Sequence, residues 1–327
     1  MKFLLFLNLL IVHLSYNNAF SAVINTRHQL LGVNFDISVV HSDTSYAWQC
    51  VNKAVNKVKM IESIISSWDQ TSQTSAINKN AGLDWTRVNS ELFSLINRSK
   101  NVCELTQGAF DITIGPILNC WKFDGSMTTI PDSDKIDQSM LKIGSENILL
   151  DHENQCVLLS EKGMKIGFGA IGKGFIAEEI KQFLMKLEIT SGLIGAGGDL
   201  VFWGEHPLTN SWNISVANPN GGTPICSLNL KNTAVVTSGD YEKFVTIDNV
   251  KYSHIIDPRT GHPASGLKSV TIICPNAELA DALATAVFVL GESKGIQLIN
   301  SLSGIEAIII NLNDSILTSS GIEPNYF

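Results

Sequence analysis

The sequence predicts an α+β fold with mostly antiparallel sheets and packed helices. Three observations carry this. Short strand-like segments joined by turn residues dominate the chain. Helical stripes occur, but they do not alternate regularly with the strands. No repeat of fixed period and no linker rich in Pro, Gly or Ser divides the 327 residues, so a single domain over 23–327 is expected. Residues 1–22 read as a signal peptide: Lys2, an apolar run over 3–14, then the small-residue site Ala19-Phe20-Ser21. That run is too short to span a membrane, and the leader predicts an exported, soluble protein. The net charge of -8 argues against a nucleic-acid partner.

In chain order, 33–40 alternates apolar and polar residues and predicts a half-buried strand after Gly32. Residues 47–65 carry the stripe Val51, Val55, Val58, Ile61 and Ile65, a helix that yields to turn formers at Ser66-Ser67-Trp68-Asp69. Residues 72–78 read as a polar loop. Asn89-Ser90 opens a second helix that ends at Gly108. Glycines and Pro116 then bracket Phe110 and Asp111, which predicts a shaped loop. Residues 124–139 are polar and read as exposed, and 147–150 with 156–159 read as a hairpin. A glycine-rich run over 167–174 leads into a helix reaching Leu187, and 192–200 is a strand that breaks at Gly197-Gly198-Asp199. Short strands follow over 212–217, 225–230, 234–237 and 243–247, the last paired across Asp248-Asn249. Residues 237–241 read as a glycine-bearing loop and 267–274 as a strong strand. Helices over 279–290 and 293–302 and strands at 305–311 and near Leu317 complete the chain. Six cysteines at irregular spacing match no zinc or redox motif and read as buried free thiols rather than disulfides.

Within Ala280-Asp281-Ala282-Leu283-Ala284-Thr285, Asp281 and Thr285 lie one helical turn apart. A carboxylate in an apolar helix needs a cation or several donors. Asp plus hydroxyl suits Mg²⁺ or Ca²⁺, while the simpler reading is a helix cap after Pro275 and Asn276. Gly167, Gly169 and Gly172 form G-x-G-x-x-G, yet the preceding strand is short and the next candidate acid, Asp199, sits behind a second glycine cluster. A loop whose amides and Lys173 meet phosphate at a helix N-terminus fits these residues better than a nicotinamide site. The polar loops at 109–111, 167–174, 196–199, 237–241 and 254–261 sit at strand ends, where a scaffold gathers a site. Together with Trp68 and Phe110 they suit a nucleotide diphosphate with Mg²⁺ and a flat ring system.

The chain resembles the ApbE family of FAD:protein FMN transferases from about Leu31 onward. The matching blocks are Gly-Ala-Phe-Asp (108–111) with Gly115-Pro116 and Trp121, Gly-Ala-Ile-Gly-Lys-Gly (169–174), Ala-Gly-Gly-Asp (196–199), Thr-Ser-Gly-Asp-Tyr (237–241), His-Ile-Ile-Asp-Pro-Arg-Thr-Gly (254–261) and Ala-Asp-Ala-Leu-Ala-Thr (280–285). The resemblance implies an ApbE-like, T-fold-related architecture. It also implies Mg²⁺-dependent transfer of FMN from FAD to a Thr or Ser of a partner protein, with release of AMP. Partners of such enzymes are typically subunits of membrane redox complexes facing the periplasm. It places the metal on the Ala170 carbonyl, Asp281 and Thr285, with Ala284 counted alongside. FAD contacts map to Leu31, Trp68, Ala109, Phe110, Asp111, Lys173 and Ile255. His254 is the candidate for deprotonating the acceptor hydroxyl, with Asp281 the other catalytic candidate. Gly167 departs from the family's usual Asp, Glu178 from an Asp, and Val33 from a Thr. Water in place of the acceptor would give FAD pyrophosphatase activity, and a flavin-binding protein without turnover is the reading outside catalysis.

Overall fold

The computed structural model describes residues 22–327. The leader expectation lies outside them except at Ala22, which already belongs to a strand. Eight strands form the central sheet in strict chain order: Ala22–Leu30, Val33–His41, Ser191–Ala196, Asp199–Trp203, Thr233–Gly239, Leu267–Cys274, Glu306–Asn311 and Ile316–Thr318. Every neighbouring pair in it is antiparallel. This is the α+β architecture the strand pattern predicts. It also removes the nicotinamide reading, because the helix after Gly172 leads into an antiparallel strand and no βαβ unit forms there.

One face of the sheet carries helices Thr44–Ile65, Gly172–Lys186 and Ala277–Asn300, which bury the main core against Phe35, Ile37, Val39, Ile194, Val236 and Ile272. The other face buries Phe202, Val235, Ile273 and Ile308 against Trp212–Val216 and Cys226–Leu230. Burial on both faces leaves only Lys268 of Leu267–Cys274 partly exposed, and Val270, Ile272, Ile273 and Cys274 fill the two cores. The late helix is apolar enough to pass for a membrane span by composition, but it packs inside this core. Gly291, at φ 77° and ψ -178°, breaks it where two helices are expected from the sequence.

Four local expectations need correction. Ala22–Leu30 is an additional strand at the sheet edge, its side chains alternating between half-buried and exposed. Gln73–Lys79 is a helix rather than a loop, capped by the Ser72 hydroxyl on the amide of Ser75 and anchored by buried Thr74 and Ile77. Residues 237–239 end the strand Thr233–Gly239 instead of forming a loop. Within the exposed 124–139 segment, Ser133–Met140 is helical and buries Ile136. All six cysteines are unpaired: Cys50, Cys103, Cys226 and Cys274 are buried, and Cys120 and Cys156 half-buried.

Candidate active site

Asp281 does not cap its own helix. Asn276 does, its side chain accepting the amide of Leu279. Asp281 instead points at the start of helix Gly172–Lys186, where Oδ2 accepts the amide of Gly174 at 2.9 Å. That helix has no side-chain cap of its own at Ile171. Gly174 is needed for the approach, since a Cβ there would lie 2.2 Å from the Ala277 carbonyl oxygen and 2.7 Å from the Asp281 Cβ. Glu178 fastens the same crossing by accepting the Ala277 amide at 3.1 Å and pairing with Lys181. The Gly174 amide at this helix start is therefore taken by Asp281 and does not face a phosphate.

The Lys173 ammonium lies 2.5 Å from Asp199 Oδ2, and Asp199 is buried. Asp199 opens strand Asp199–Trp203 directly after Gly197 and Gly198, whose φ values of 64° and 106° turn the chain sharply. Its Oδ1 receives the Thr237 amide at 3.4 Å. Burial works against the charge on Lys173, but Asp199, Asp281 and Glu242 outweigh it and hold the ammonium above its usual range. Burial pushes all three carboxylates upward, with Lys173 opposing the shift in each case. One ammonium thus faces an excess of carboxylate.

Thr285 lies one turn beyond Asp281, and its hydroxyl is 3.4 Å from that of Ser238 at the end of strand Thr233–Gly239. Ala170 sits in the turn just before the capped helix, half-buried against the core. Among the described residues no three His, Cys, Asp or Glu side chains cluster with metal-ligand spacing. A cation here would rely on one carboxylate supplemented by hydroxyl and carbonyl oxygens, the hard-donor set that Mg²⁺ accepts. The buried Asp281 carboxylate, destabilised as an anion, fits such a cation. Ala284 shares this helix face and is completely buried.

His254 donates from its backbone amide to the Lys243 carbonyl at 3.0 Å, and its ring Nδ1 lies 3.1 Å from the same oxygen. A carbonyl only accepts, so Nδ1 carries the proton and Nε2 is left with a free lone pair. Burial lowers the His254 pKa, the carbonyl contact opposes this, and the charges of Lys243 and Lys173 lower it further. Next to it, Ile255 is buried. Trp121 Nε1 donates to the Gly261 carbonyl at 3.0 Å, tying this loop to the Phe110 loop.

Leu31 occupies the hairpin turn between the first two strands at φ 57°, a strained conformation for an aliphatic residue. The Gly197 amide donates to Asn34 at 2.9 Å, which brings that turn beside Asp199. Trp68 is 89% exposed after the first long helix, adjacent to Ser67, which faces Gly167. The Gly167 amide in turn donates to Ile112 at 2.9 Å, so Trp68, Gly167 and the Ala109–Phe110 loop form one neighbourhood. Ala109 and Phe110 are buried. Asp111 faces inward: its oxygens accept from the Thr113 amide and hydroxyl, the Ser145 amide and the Cys103 thiol, so it shapes the loop. Sequence reasoning places the loops 196–199 and 237–241 at the site but assigns no role to Asp199 or Ser238, although both stand in matching blocks and Asp199 follows a Gly-Gly turn.

A model of the ApbE family matches residues 31–309. The chain is 32% identical over 277 residues to the FAD:protein FMN transferase of Treponema pallidum, covering 80% of this chain and 76% of that one. It is 31% identical over 266 residues to a protein of the same name from Klebsiella pneumoniae, covering 80% and 82%. The crystal structure of the ApbE protein from Thermotoga maritima superposes with a TM-score of 0.84 at 32% identity, over 91% of this chain and 97% of that one. The flavin transferase ApbE from Vibrio cholerae shares the fold, with a TM-score of 0.80 at 22% identity over 92% and 98%.

Proposed function

This chain belongs to the ApbE family of transferases, and we propose that it moves FMN from FAD to a Thr or Ser hydroxyl of a partner protein, releasing AMP. The observation that carries this reading is that Asp281, one turn before Thr285 on its helix, accepts the Gly174 amide just after the Ala170 turn, while the neighbouring Lys173 is paired with the buried Asp199. Asp281, Thr285 and the Ala170 carbonyl would hold Mg²⁺, with Ala284 on the same helix face. A bound Mg²⁺ would neutralise the pyrophosphate and act as a Lewis acid toward its oxygens.

The protein's own groups account for the remaining steps. Lys173 offers positive charge to the phosphates. Trp68 supplies an exposed ring for the isoalloxazine, while Leu31, Ala109, Phe110 and Ile255 line the rest of the FAD contact. His254 Nε2 takes the proton from the acceptor hydroxyl as its oxygen attacks the FMN phosphorus. The bond from that phosphorus to the bridging oxygen breaks, and AMP leaves with the electron pair. Asp111, counted with the FAD contacts, also fixes the loop that carries Phe110. The leader-like residues 1–22 support export, so we place the enzyme in the periplasm, with a periplasm-facing subunit of a membrane redox complex as acceptor.

The test is to incubate the protein with FAD, Mg²⁺ and a purified acceptor domain, then follow in-gel flavin fluorescence and AMP. Fluorescent acceptor with equimolar AMP is the expected result. AMP and FMN with an unlabelled acceptor would instead mean hydrolysis, and retained FAD with neither product would mean storage.

A further inference from the structure

Three features stand outside the chemistry assigned so far. The cavity of about 330 Å³ between helices Ser90–Leu105 and Ala277–Asn300 is lined by Arg98, Asn101, Leu105 and Leu279, but its Arg98 is already committed to Glu278 in a two-pronged pair. The Cys103 thiol beside Asp111 is pushed up to about 12 by burial and by that carboxylate, which makes it inert as a nucleophile. The third is Asp199, a buried carboxylate that touches none of the proposed metal ligands.

We propose that Asp199 is a positioning residue that holds the Lys173 ammonium away from Asp281, leaving the Asp281 carboxylate open to a divalent cation. The inference rests on the metal site proposed above. Lys173 stands within the field of three carboxylates, those of Asp199, Asp281 and Glu242. Among the described residues its ion pair is with Asp199 alone, at 2.5 Å. Oδ2 of Asp199 has no hydrogen-bonding partner to compete for it. Asp281 already spends one oxygen on the Gly174 amide, on the helix that carries Lys173. A lysine released from Asp199 is tethered next to Asp281 and would neutralise it, since an intramolecular ammonium competes at high effective concentration. Asp199 thus separates two positive charges that the reaction needs side by side.

A double-mutant cycle on Mn²⁺ binding to the FAD-free protein, followed by electron paramagnetic resonance, tests this without turnover. Asp199→Asn should weaken Mn²⁺ binding about tenfold, because Lys173 then occupies Asp281. Lys173→Met should bind at least as tightly as the wild type. The decisive species is the double variant, which should match Lys173→Met, because no lysine remains to be misplaced. If the double variant is weaker than Lys173→Met by the same factor that separates Asp199→Asn from wild type, Asp199 acts only through its charge and the proposal is overturned. Unchanged binding in Asp199→Asn overturns it as well. Wild-type protein that binds no Mn²⁺ would overturn the metal reading beneath it. Should Asp199→Asn fail to fold, Asp199→Ala, which buries no polar atom, carries the same expectations.

Discussion

Asp281 accepts the amide of Gly174 at 2.9 Å, so the helix Gly172–Lys186 is capped by a carboxylate from a different helix. The residue proposed to hold the metal therefore also joins the two helices that frame it. Structure and chemistry separate in two substitutions. Asp281→Asn keeps an acceptor for Gly174 and removes a buried charge, so metal-free stability should stay level or rise by up to about 1 kcal/mol. Asp281→Ala leaves the amide unpaired and should lose about 1–2 kcal/mol. Urea unfolding in the presence of a chelator measures both, and equal losses in the two variants would contradict the cap.

Gly174→Ala should be far more damaging than an ordinary helical Gly→Ala change. The new Cβ meets the Ala277 carbonyl oxygen and the Asp281 Cβ at distances no real contact reaches. Separating the helices should cost about 2–3 kcal/mol and displace Asp281 from the Gly174 amide. Thermal melting and FAD turnover report on the two effects, and a stable, fully active variant would show that the crossing is looser than described.

The His254 environment sets the sign of a pH effect. Burial and two nearby lysine charges hold its pKa below the ordinary 6.5, so the neutral base persists to lower pH than in a free imidazole. The transfer rate should rise with pH and reach its plateau with a midpoint below 6.5. His254→Gln should lower the plateau by about 100-fold or more and abolish that acid limb. A limb that survives the substitution would assign the titration to another group.

Trp68 offers a clean division between folding and binding. With 89% of its surface exposed, Trp68→Ala should alter stability by no more than about 0.5 kcal/mol. Loss of a stacking ring should weaken FAD binding by roughly 10-fold, measurable by flavin fluorescence titration. Undiminished affinity would move the isoalloxazine elsewhere.

Most of the sheet is legible in the sequence because the strands Val33–His41, Leu267–Cys274 and Glu306–Asn311 carry strong apolar patterns that end at turn residues. The strand Ala22–Leu30 is not, since an edge strand exposed on one side can spend those positions on Asn25, Arg27 and Gln29. The helix Gln73–Lys79 escapes for a related reason: it buries only Thr74 and Ile77, too little for a stripe. Spacing alone brings Asp281 and Thr285 together, because both lie on one helix. It is silent on Asp199 and Lys173, whose contact depends on how a helix and a distant strand pack. The same holds for the capping role of Asp281, which reads locally as a cap and turns out to serve another helix.

The central claim is that the Asp281–Thr285 helix face holds the cation on which FAD cleavage depends. The most direct measurement is AMP release from FAD in the presence of the acceptor domain, titrated with Mg²⁺, for wild type and Asp281→Asn at a temperature where both are folded. The account predicts release that requires Mg²⁺ in the wild type and falls by about 100-fold or more in the variant. Full Mg²⁺-dependent release by Asp281→Asn would contradict it.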